Sequence, residues 1–149
     1  MTPFDVYEAL RAQIERVTGI KAVLEPSSIK EDRPVVRISP LKFSFRRETQ
    51  GDEEDGPVVF GASCLLTARV EGTGLGFKNT VAASLALLRF FEVEDEALQD
   101  ADGEEIVDAT FSGKSMGDQA KLVPSEEHER MYEYEDAFSV EITIPRALL

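Results

Sequence analysis

The chain has no tryptophan, one cysteine and one histidine in 149 residues. A lone cysteine, Cys64, excludes an intrachain disulfide framework. With one cysteine and one histidine, a zinc site would need a carboxylate-rich shell, so no metal is expected. No apolar run approaches the ~20 residues that a membrane-spanning helix requires. The opening MTPFDVYEAL lacks both the basic start and the apolar centre of a secretory signal. These absences lead us to expect a cytoplasmic protein with no membrane partner. Basic residues are scarce as well: 16 Lys and Arg stand against 29 Asp and Glu, a net charge of −13. Phosphate contacts are made by lysine and arginine, so stable nucleic-acid binding is not expected. An acidic surface favours solubility and also lets DNA pass without sticking; the charge alone does not separate these uses.

What is present is an ordinary globular composition, 42% hydrophobic and 30% charged, arguing against disorder. The length favours one domain spanning 1–149, and neither an internal repeat nor a linker interrupts it. The chain is organised around residues 58–91. Residues 58–71 read as one long strand: Val58, Phe60, Ala62, Cys64, Leu66, Ala68 and Val70 share an apolar parity that should face the core. Gly61 is a candidate bulge or bend. Gly72, Gly74 and Gly76 then form a hinge into a helix at 77–91, with Val81, Leu85, Leu88 and Phe91 as its stripe. The flanks of that helix are apolar too, so one face is expected on a sheet and the others on the first helix or a second subunit.

Around this stretch the remaining segments read as partners. A helix is expected at 3–17, capped by Thr2 with Pro3 at its first position and ended by Gly19. Its stripe is Val6, Leu10, Ile14 and Val17, with Gln13 at the rim and Phe4 and Tyr7 widening it. Short strands follow at 21–24, 35–39 and 41–47, the last two separated by Pro40. Leu41, Phe43 and Phe45 form the expected apolar face of the third. Residues 48–57, ETQGDEEDGP, form an acidic loop joining two antiparallel strands. Gln50, Asp52, Glu53, Glu54 and Asp55 within it are candidate partner contacts, the alternative being a solvated loop. Residues 92–105 are an acidic connection with a turn at Asp102-Gly103. Strands are expected at 106–113, with Val107, Ala109 and Phe111 in alternation, and at 120–123. A long final strand at 131–145 should bend or bulge near Asp136.

No catalytic residues, cofactor site or metal ligands emerge. The glycines would need a lysine after Gly76 for a phosphate loop, or a third glycine there for a dinucleotide fingerprint, and that position is Phe77. His128 lies in a charged stretch, and Cys64 falls on an apolar parity unsuited to a reactive thiol. The runs Asp52–Asp55 and Asp100–Glu105 lack the spacing of a calcium loop. Paired carboxylates of the glycosidase kind would lie on loops without aromatic sugar platforms.

The expected fold class is α+β, a mostly antiparallel sheet with two main helices packed on one face. The element order resembles the tail terminator, or tail-completion, proteins of long-tailed bacteriophages and prophages. The resemblance rests on the opening helix (Val6, Leu10, Ile14, Val17), the hairpin around 48–57, the 58–71 strand leading into the 77–91 helix, and the final strand at 138–144. It is topological and carries no invariant motif. It implies a homo-oligomeric, hexameric ring that caps the tail tube and joins it to the head. The implied partners are copies of itself, the tail tube protein and a head-completion protein. The implied location is the bacterial host cytoplasm during assembly and then the virion tail. No enzymatic activity is implied. The alternative is a small-molecule or peptide-binding α+β module of regulatory type, using the glycine hinge as a lid.

Overall fold

The computed structural model describes residues 1–24, 31–45, 56–71, 74–117 and 120–149. Its elements run α1 (Pro3–Thr18), β1 (Lys21–Val23), β2 (Val35–Phe45), β3 (Val58–Glu71), α2 (Leu75–Phe91), β4 (Val93–Gln99), β5 (Glu105–Ser115), β6 (Lys121–Pro124) and β7 (Met131–Ile144). The strands form one sheet in the order β1-β2-β3-β7-β5-β4, with β6 also paired to β7. Among the described residues only β1 and β2 run parallel; the other pairings are antiparallel. The fold is therefore α+β, as the element order implies.

Its spine is the β3–β7 ribbon, fourteen pairs in unbroken register from Val58↔Ile144 to Glu71↔Met131. The other side of β7 is shared between β6, from Lys121↔Glu135 to Pro124↔Tyr132, and β5, from Thr110↔Thr143 to Ser115↔Phe138. The apolar parity of β3 is buried from Val58 to Val70 and belongs to one core with α1 and α2. Both helices therefore cover the same face. The final strand neither bends nor bulges at Asp136. That residue stays in register opposite Leu66, and its carboxylate accepts a hydrogen bond from the Ser84 hydroxyl of α2. A polar residue on a core parity is thus satisfied across the helix–sheet boundary rather than turned away from it.

Helix α1 begins as its sequence dictates. Thr2 and Asp5 form a reciprocal capping box, Thr2 Oγ1 accepting from Asp5 N at 3.2 Å and Asp5 Oδ2 from Thr2 N at 2.7 Å. Gly19 closes it at φ 73°, a left-handed conformation that glycine adopts without a Cβ penalty. Val6, Leu10 and Ile14 are fully buried. Val17 and Phe4, expected on the same stripe, are exposed, because the sheet covers the middle of the helix and not its ends. Gln13 is buried and clamps α1 to β4. Its Nε2 donates to the Ala97 carbonyl at 3.2 Å and its Oε1 accepts from Gln99 N at 2.9 Å.

Three further regions depart from expectation. First, residues 35–45 are a single strand rather than two. Pro40 pairs with Ala62 without ending it; β1 reaches only Arg37, so Pro40 lies on an edge, where sheets accommodate proline. The bulge expected at Gly61 sits opposite it, in β2, where Leu41 and Lys42 together face that one residue. The bulge splits the expected apolar face. Leu41 lies against Gly61, Phe43 lies against Phe60, and both remain exposed. Second, the acidic stretch after residue 92 contains a strand, β4, anchored by fully buried Leu98. Third, Val107 points to solvent while Ala109 and Phe111 point inward. Asp108 between them has φ 61°, and this left-handed residue resets the alternation. Gly113 is fixed by packing: a Cβ there would collide with the Phe91 carbonyl oxygen at the end of α2.

Candidate partner interface

Helix α2 starts two residues earlier than its sequence suggests. Gly74 is its N-cap, without a side-chain cap, and Gly76 sits inside the first turn rather than in a hinge. Gly72 lies outside the described residues, as do Gln50, Asp52, Glu53, Glu54 and Asp55 of the acidic loop. The inward side of the helix is Thr80, Ala83, Leu87, Phe90 and Phe91. Phe91 stacks on Phe138 at 5.0 Å between centroids and Phe90 on Phe111 at 5.3 Å. Thr80 donates its hydroxyl to the Gly76 carbonyl at 2.8 Å, which satisfies it inside the helix.

The stripe expected to be buried is, Phe91 apart, the exposed one. Val81 is 45% exposed, Leu85 49% and Leu88 39%. At 3.6 residues per turn the inward and outward sets are centred roughly 140° apart around the axis. The helix is apolar on both, and the described residues cover one. Val81, Leu85 and Leu88 form one wall of a groove of about 280 Å³ whose other walls include Ala120, Tyr134 and Asp136. Leu122, paired with Tyr134 on the same face of the sheet, is also exposed. Asp136, held by Ser84, places a carboxylate in this largely apolar groove, which Ser115 and Tyr134 also line. The signal for it in the sequence was the single interruption of the β7 parity.

A second exposed apolar patch lies elsewhere. Phe43, 48% exposed, packs on Phe60 at 5.5 Å. Tyr7 meets the same ring edge-on at 5.9 Å and donates its hydroxyl to the Gly61 carbonyl at 2.8 Å. Phe4, one turn before Tyr7 on α1, is 64% exposed. Phe60 is eight residues along β3 from Ala68, the residue opposite Tyr134. At ~3.4 Å per residue the two patches are displaced by roughly 27 Å along the strand, on opposite flanks of it.

The sheet edges are less inviting. The outer side of β2 carries Pro40, a bulge and exposed Lys42. Strand β4 presents Glu94, Asp95 and Glu96, with its register broken and Asp95 at φ 51°. Strand β6 is four residues long and bounded by Lys121 and Pro124. Proline, charge, bulges and brevity are the devices that stop strands from adding to an edge. These edge segments are therefore poor templates for an added strand.

The groups considered for chemistry find other employment. Cys64 is fully buried on the core face, and burial pushes its thiol up to about 12, far from a reactive thiolate. His128 is exposed on the loop before β7. Asp100 spends its Oδ1 on the backbone N–H groups of Asp102 at 2.9 Å and Glu104 at 3.0 Å, closing the β4–β5 turn. Among the described residues no group of three or more His, Cys, Asp or Glu is placed to hold a metal ion. No described helix is long and apolar enough to cross a membrane. A further groove of about 410 Å³ lies between the end of α1 and α2, lined by Thr18, Gly19, Arg33, Asn79, Ala82 and Ala86 among others. Neither Gly74 nor Gly76 lines it.

No family model matches the chain, and no curated protein sequence does. Among solved structures, a chain in the virion of a native gene transfer agent (GTA) particle is similar, with a TM-score of 0.46 and 15% identity. The alignment covers 94% of this chain and 92% of that one. A likeness at this score and identity carries no function from one chain to the other.

Proposed function

We propose that this protein is a structural component of a phage-like virion and, within it, the tail terminator. It assembles head-to-tail into a homo-oligomeric ring of six in the host cytoplasm. The ring caps the tail tube, stops its growth, presents a surface to a head-completion protein, and remains in the virion tail. No catalysis is required of it. The observation that carries this reading is the pair of exposed apolar patches at non-equivalent positions, the α2 groove and the Phe43 end of β2. A two-fold dimer uses one self-complementary patch, whereas a ring needs two different ones. The observed α+β element order is in keeping with the topological resemblance, and a net charge of −13 suits a lumen through which DNA must slide.

The test is light scattering on the purified protein at tens of micromolar, alone and with polymerising tail tube protein. The expected result is a closed oligomer in one or both conditions, with shortened tubes. A strict monomer in both, leaving tube length unchanged, would overturn the reading. The rival, a small-molecule or peptide-binding module, has the 410 Å³ groove beside α1 in its favour. A ligand that raises the melting temperature of a monomeric protein would support it.

A further inference from the structure

We draw no further inference here: the strongest candidate, the groove beside α2 walled by Val81, Leu85 and Leu88 with the Asp136 carboxylate in it, is an open, largely apolar surface, and nothing in the structure shows what covers it.

Discussion

The two sides of helix α2 are made of the same kind of residue and lead different lives. Leu87 and Phe91 are fully buried against the sheet, while Val81, Leu85 and Leu88, little different in hydrophobicity, stand open to water. The inward side is where the chain gains stability. Each large apolar side chain buried there contributes ~1.5–3 kcal/mol of transfer free energy, and the aromatic contacts to Phe138 and Phe111 add to it. The outward side gains the monomer little. Single exposed apolar residues are ordinary on any surface. Here three of them share one face of a helix and line a groove with Tyr134, which makes this patch the candidate contact surface of the proposed assembly. The difference teaches that similar hydrophobicity on two sides of a helix does not by itself decide which side the chain buries.

Substitutions sharpen this contrast from its inward side outward. The largest effect on folding belongs to Phe91→Ala, which empties a fully buried site between α2 and β7 and should cost ~3–5 kcal/mol in chemical denaturation. Any loss of assembly in that variant should follow from unfolding alone. Next is Gly113→Ala, whose new methyl group meets the Phe91 carbonyl oxygen; a shift of α2 away from β5 should cost ~1–3 kcal/mol. Smaller again is Ser84→Ala at the boundary of the two sides. It removes the hydroxyl from Asp136 and should cost ~1 kcal/mol, read as a lower denaturation midpoint with an unchanged slope. If Ser84→Ala proved more damaging than Phe91→Ala, the division of the helix into a stabilising and an assembling side would fail.

Much of the fold was legible because period-two alternation is unambiguous where it is sustained. Strand β3 runs over the fourteen residues that its alternation marks, Val58–Glu71, and Thr2 and Gly19 bound α1 through cap chemistry that local residues decide. The partition of α2 was not legible. A helix apolar on both sides has no single stripe, so periodicity cannot choose between Val81-Leu85-Leu88 and Leu87-Phe90-Phe91. Only the positions of Phe111 and Phe138 in neighbouring strands decide it. Strand β4 was hidden because its burial rests mainly on Leu98, and because left-handed Asp95 and Asp108 break the alternation of the β4–β5 pair. The groove carboxylate was half visible. Asp136 announced itself as an exception on β7, but its partner Ser84 is 52 positions away and no local rule joins them.

The claim on which the account turns is that the outward side of α2 is a subunit contact. Light scattering of Leu85→Asp beside wild type, at the same tens of micromolar, tests it most directly when paired with melting curves recorded at a dilution where both are monomers. The account predicts that the variant falls to the mass of a single chain while its dilute stability stays within ~0.5 kcal/mol of wild type, as for an exposed position. A variant that keeps the wild-type assembled mass with its fold intact would contradict it.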